Sequence, residues 1–192
     1  MRIIRAGDCK TTPWKNGGGS TTEIAIGPAG ASLEAFDWRV SMARVASDGL
    51  FSDFAGVDRS LAVLKGNGLV LTTGENAPVT LSSRADPVSF PGDTPTFARL
   101  TAGEITDLNV MTRRGRFRHR LLHIEKSVSC NFGDDDIAVV LSLDGMTMVT
   151  FGHYCTTLDH GDAALLSRTT TGFRILPTTN HCYLVWLTRH RE

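Results

Sequence analysis

The sequence carries no excess charge of either sign: twenty Lys and Arg side chains are matched by twenty Asp and Glu, for a formal net charge of zero. No global field draws the chain toward nucleic acid or an anionic membrane, and neither is expected as a partner. Long apolar runs are missing too. Met1-Arg2-Ile3-Ile4-Arg5 leads into polar sequence rather than into the apolar core of a secretory signal, and no segment reaches the length of a spanning helix, so the expected location is cytoplasmic. Cysteine is scarce and scattered: Cys9, Cys130, Cys155 and Cys182 form no C-x-x-C pair, which argues against a zinc knuckle or a disulfide framework and leaves free thiols. There is no H-x-H pair and no Gly-x-Ser-x-Gly elbow. His119, His123 and Glu125 lie close in sequence, but the neighbouring Arg116, Arg118 and Arg120 oppose a dication; no metal and no cofactor is expected. Helical periodicity with caps is absent, apart from a turn or two allowed near residues 49–54.

What remains is a β rhythm. Apolar residues recur at spacing two or in short runs, interrupted by Gly, Asn, Asp and Pro every eight to twelve positions or so. Candidate strands cover 21–26, 37–45, 59–65, 68–73, 79–81, 97–100 and 106–111, then 116–124, 137–143, 146–151, 163–167, 173–176 and 182–188. Two stretches repeat: residues 61–71 form strand, Gly-rich turn and returning strand, followed by Gly92-Asp93, and residues 137–148 do the same before Gly161-Asp162. That repeat predicts an all-β double cupin, two jelly-roll-like barrels in one chain, with the seam between Met111 and Arg120. The expected units are 1–115 and 116–192, packed as one compact bicupin.

Polar chemistry concentrates in the first half. Pro13-Trp14-Lys15-Asn16-Gly17-Gly18-Gly19 leads into strand-like sequence rather than into the helix that a phosphate loop requires. It reads either as a tight loop with Trp14 plugging a barrel end or as a ligand contact. In Trp38 to Val45 alternation sets Arg39, Ser41, Ala43 and Val45 on one face, so Arg39 points to solvent or into a lumen. Phe51 and Phe54 either line a pocket mouth or staple their loop to the barrel. Asp107, Asn109 and Met111 share a face opposite Leu108 and Val110, and a buried Asp107 would need a cation from among Arg39, Arg59, Arg113 and Arg114. Asp134-Asp135-Asp136 reads as a solvated turn.

Taken together, Pro-Trp-Lys-Asn-Gly-Gly-Gly at 13–19, Trp-Arg-Val-Ser at 38–41, Asp-Gly-Leu-Phe-Ser at 48–52, Gly-Val-Asp-Arg at 56–59 and Asp-Leu-Asn-Val-Met at 107–111 resemble the HutD/Ves family. Leu50 departs from the family's usual proline before Phe-Ser. The resemblance implies a double cupin without metal-binding histidines, associated through its HutD branch with bacterial histidine utilisation, whose intermediates are small carboxylates such as urocanate and formylated or formiminated glutamate. Its motif positions are Trp14, Asn16, Arg39, Ser41, Phe51, Arg59, Asp107, Asn109 and Met111. The function expected is a small-molecule carboxylate binder that modulates that pathway. A metal-free enzyme using Asp107 as acid or base, and a protein-protein regulator docking through residues 137–188, stand as alternatives, and a homodimer is compatible with cupin-type edges.

Overall fold

The computed structural model describes residues 1–169, 171–178 and 181–191. These form strands β1 (Arg2–Ile4), β2 (Lys10–Pro13), β3 (Gly19–Gly27), β4 (Trp38–Val45), β5 (Gly49–Leu50), β6 (Val57–Lys65), β7 (Leu69–Thr73), β8 (Val79–Leu81), β9 (Val88–Pro91), β10 (Thr96–Leu100) and β11 (Ile105–Arg113). They continue with β12 (Phe117–Ile124), β13 (Val128–Cys130), β14 (Ile137–Ser142), β15 (Thr147–Phe151), β16 (Tyr154–Leu158), β17 (Ala163–Ser167), β18 (Phe173–Pro177) and β19 (Cys182–Arg189). The described helical turn is Ala6–Asp8, not the segment near residue 50. There Gly49 and Leu50 pair with β10, and the Phe51 and Phe54 amides donate to the carbonyls of Thr96 and Gly92, which keeps the backbone extended.

The chain divides into two compact units, Lys10–Arg118 and residues 1–9 joined by the chain from His119 onward. The first contains a six-stranded sheet, β2-β3-β4-β11-β6-β9, and a four-stranded sheet, β5-β10-β7-β8. The second contains a five-stranded sheet, β1-β17-β14-β19-β12, and a four-stranded sheet, β13-β18-β15-β16. Strip the flanking strands and the orders coincide: β4-β11-β6-β9 corresponds to β12-β19-β14-β17, and β5-β10-β7-β8 to β13-β18-β15-β16. Each set of eight is a jelly roll, the double-cupin architecture expected from the repeat.

The repeat differs from the sequence reading in two respects. Strands β6 and β7, like β14 and β15, are not hairpin partners; the chain at each Gly-rich turn crosses from one sheet to the other. Gly66 and Gly68 make the first crossing at φ 98° and 99°, a left-handed region costly for any residue with a Cβ. The two Gly-Asp turns are likewise not equivalent, since Gly92-Asp93 follows β9 whereas Gly161-Asp162 precedes β17.

Residues 1–9 join the second unit because β1 extends its sheet along β17, with Ile3 opposite Ala164. Asp162 fastens this strand, accepting from Arg5 Nη1 at 2.5 Å and from the Ala6 amide at 2.9 Å. Asp135 and Asp136 are not part of a solvated turn. Asp135 is buried between Arg120 Nη2 (2.5 Å) and the Thr188 hydroxyl (2.6 Å), and Asp136 accepts from the Arg189 amide at 2.8 Å. All four cysteines are free thiols.

Inside the second unit the two sheets close over a filled core in which Phe132, Phe173 and Trp186 meet with centroids 5.4–5.5 Å apart. The first unit has an apolar core of Leu61, Val63, Leu69, Leu71, Leu81, Phe90 and Ile105, but this covers only one part of its interior. The remainder is hollow.

Candidate functional site

Strand alternation builds the hollow. On the inner face of the six-stranded sheet, β11 presents Asp107, Asn109 and Met111, flanked in register by Ala43, Ser41 and Arg39 of β4 and by Val63, Leu61 and Arg59 of β6. Glu23 of β3 lies opposite Ser41, and a bulge at Ile24 then shifts the register so that Ile26 faces Arg39. These strands, the β2–β3 turn and the loop after β5 enclose a cavity of about 850 Å³ within the first unit. Trp14, Asn16, Arg39, Ser41, Phe51, Arg59, Asp107, Asn109 and Met111 all line it. Its floor is buried (Ser41, Arg59, Asp107, Asn109, Met111), whereas Lys10, Lys15, Leu33 and Leu50 stand exposed at its rim.

Each element has a local reason. The β2–β3 turn carries three glycines for three purposes: Gly17 has φ 72°, a Cβ at Gly18 would lie 2.7 Å from Ser47 Oγ, and one at Gly19 would lie 2.1 Å from the Arg44 carbonyl oxygen and 3.0 Å from the Trp14 ring. Trp14 therefore lies flat beside the backbone and donates from Nε1 to Thr21 Oγ1 at 2.8 Å. The Gly17 and Gly18 amides are consumed locally, by the Trp14 carbonyl and by Asn16 Oδ1, so the turn positions Trp14 and Asn16 rather than offering an anion nest. Phe51 staples its loop by meeting Phe90 edge-on at 6.0 Å, and it lines the cavity as well.

Arg59 is the central cation. It is 5% exposed, its guanidinium carbon lies 4.6 Å from the Phe51 centroid and 5.3 Å from that of Phe90, and its stem passes over Gly92, where a Cβ would come within 3.2 Å. Nη2 donates to Asn109 Oδ1 at 2.7 Å and Nη1 to the Ser52 carbonyl at 3.3 Å; Nε has no partner among the described residues. Burial lowers the Arg59 pKa to about 10, with nearby Arg39 adding to the effect and Asp107 opposing it, so Arg59 remains charged near neutrality. Asn109 in turn donates from Nδ2 to Asp107 Oδ1 at 2.8 Å. Asp107 is fully buried and its Oδ2 has no partner among the described residues. Burial raises its pKa to about 7 against the opposing hydrogen bond from Asn109, the charge of Arg59 and the backbone at Ala43.

Of the cations considered for Asp107, only Arg59 is joined to it, and then through Asn109. Arg39 donates from Nε to Glu23 at 2.9 Å on the cavity wall. Arg113 is spent on the Phe36 and Glu34 carbonyls, and Arg114 on Asp58 and Asp93. Glu23, Lys10, Lys15, Thr21 and Ser52 are lining residues that sequence reasoning passed over. Of these Glu23 was the findable one, since it alternates with Thr21 along β3. Among the described residues no cluster of three or more His, Cys, Asp and Glu side chains could hold a metal, and no helix is long and apolar enough to cross a membrane.

Residues 6–183, which include every side chain just described, match the family model HutD. The chain belongs to the HutD family. A protein of Pseudomonas putida described as an uncharacterized 21.2 kDa protein in the hutC 3' region is 38% identical to it over 122 residues, 63% of either chain. Protein Ves of Citrobacter koseri is 40% identical over 109 residues, 56% of either chain. In both cases the matched segment spans less than two thirds of the relative's length. Over the whole chain, the structure of HutD from Pseudomonas fluorescens SBW25 in a formate condition superposes with TM-score 0.86 at 32% identity, covering 99% of each chain. A cupin 2 conserved barrel domain protein from Leptotrichia buccalis, at 13% identity and TM-score 0.56 over 94% of this chain and 96% of that one, shares the cupin fold.

Proposed function

We propose that the cavity binds a small carboxylate and that the HutD-family chain acts through this binding as a modulator of bacterial histidine utilisation. The observation that carries the proposal is Arg59, a buried cation on a cavity wall for which, among the described residues, no carboxylate oxygen is a direct partner and Nε has no partner. Guanidinium and carboxylate match at two points, and desolvation strengthens such a pair. Asn109 and Ser41 lie beside Arg59 to take polar groups of the ligand, and Trp14, Phe51 and Met111 offer apolar surface for its body. The names of the relatives support the pathway: one protein is placed in a hutC 3' region, and the Pseudomonas fluorescens protein is HutD in a formate condition. Urocanate and formylated or formiminated glutamate are the carboxylates of that pathway to which the reading points.

Calorimetric titration with urocanate, formylglutamate, formiminoglutamate and glutamate, with product formation assayed in parallel, tests this. Binding to the natural chain that Arg59→Ala removes, with every ligand recovered unchanged, is the expected result; absence of binding by all four refutes it. A second reading rests on Asp107, whose pKa of about 7 suits an acid or base. Turnover lost in Asp107→Asn would replace the binding reading with an enzymatic one.

A further inference from the structure

Asp107 is a fully buried acid of this site to which carboxylate binding at Arg59 gives no role, and its surroundings are unusual. It borders the cavity floor but is fully buried, whereas Asn109 and Arg59 lie beside it on the same wall. One of its oxygens is held by the Asn109 amide, whose own oxygen is occupied by Arg59; the Ala43 backbone also favours the ionised carboxyl, and Oδ2 has no hydrogen-bond partner among the described residues. A single side-chain amide thus joins the buried acid to the buried cation. The charges around it are few. Across the ladder β6 contributes Arg59, and β4 contributes the backbone at Ala43 together with Arg39, which is already paired with Glu23 of β3. Lys10, Lys15 and Asp48 line the cavity elsewhere and are exposed.

On the reading that a carboxylate sits at Arg59, we propose that Asp107 takes up a proton as the ligand binds, so that occupancy of the site is set jointly by ligand and pH. Arg59 is the main charge favouring ionised Asp107 in the empty cavity. A ligand carboxylate brings a second anion to that cation and spends its compensation, so two negative charges share one arginine inside a low-dielectric wall. Protonating Asp107 relieves this at the least cost, because the bare Oδ2 can carry the proton without breaking the bond from Asn109 to Oδ1. The acid near neutrality in the empty site supplies the range in which the linkage operates. Asp107 is then a positioning residue, acting on the ligand through Asn109 and Arg59.

The test is calorimetric titration of the full chain with formylglutamate and with formate, neither of which changes protonation between about pH 6 and 9. Each is run in phosphate and in Tris, with the natural chain and with Asp107→Asn. The expected enthalpies differ between buffers by an uptake of roughly half a proton at pH 7, and Kd weakens by up to about tenfold per pH unit above it. In Asp107→Asn both dependences vanish and binding stays at its tight, low-pH level. Binding without buffer dependence in the natural chain, or with the dependence intact in Asp107→Asn, overturns the proton linkage while leaving the carboxylate reading in place. Absence of heat with all carboxylates overturns that reading and the linkage together. If Asp107→Asn fails to fold by circular dichroism, the buffer comparison on the natural chain decides alone.

Discussion

Replacing Asp107 by Asn changes stability in a way that pH exposes. The folded chain holds Asp107 at a pKa of about 7, against an ordinary value of 3.8 for the unfolded chain. A raised acid means that the folded state binds the proton more tightly. Asp107 therefore costs nothing at low pH, and the folded state loses stability as pH climbs from the unfolded value to the folded one, after which the loss is constant. Asn resembles the protonated acid in shape and accepts the same bond from Asn109, but it does not ionise. Between pH 5 and pH 8 the advantage of Asp107→Asn over the natural chain should grow across about two pKa units, or about 3 kcal/mol. In urea, with a slope of about 2 kcal/mol per molar, that moves the midpoint difference by about 1.5 M. Urea titrations of both chains at the two pH values measure it, and every other titrating group cancels in the comparison. A midpoint difference that is the same at both pH values refutes the account of Asp107 as a buried acid that ionises only near neutrality.

Glu23→Ala removes the carboxylate on Arg39 and should tighten binding of an anionic ligand by about 1 kcal/mol, roughly fivefold in Kd by calorimetry. Gly19→Ala places a methyl group against the Arg44 carbonyl and the Trp14 ring; a loss of about 2–3 kcal/mol in urea unfolding, with altered tryptophan emission, is expected. Asp162→Ala releases Arg5 and the Ala6 amide, and amide exchange at Ile3 and Ile4 should quicken roughly tenfold or more. The natural chain should show the same loosening only in strong acid. Burial raises the Asp162 pKa, but the Ala6 amide, Arg5 and the Asp159 amide together hold it below 3.8, so its contribution is present above that value and is lost as pH falls through the folded pKa.

The long strands were legible because each carries either an alternation of period two or a short apolar run, and both signals survive any tertiary arrangement. That is why the sequence alone places Arg39 with Ser41, and Asp107 with Asn109 and Met111, on shared faces. Strands β1, β2, β5, β9, β13 and β16 were not, since they are short and bury at most one residue each; Lys10–Pro13, exposed throughout, carries no apolar signal at all. The turns after Lys65 and Ser142 read as hairpins because sequence registers a reversal but not which sheet receives the next strand. Glu23 escaped notice since its partner Arg39 lies on another strand, beyond a bulge that breaks the alternation. Asp135 was hidden inside a run of three acids, where composition suggests water and only the fold supplies Arg120 and Thr188.

The duplicated jelly roll encloses a vessel in one copy and a stopper in the other. Where the first copy lines its interior with Arg59, Asn109 and Asp107, the second plugs its own with Phe132, Phe173 and Trp186. The two copies divide the chemistry of their interiors: the first spends burial on polar side chains, which costs stability, and the second keeps an apolar interior. The same strand plan therefore does not by itself make a chamber: trimming Phe132, Phe173 and Trp186 to small residues would cost about 3–5 kcal/mol for each ring, so hollowness has to be supported by the polar pairing that only the first copy supplies among the described residues.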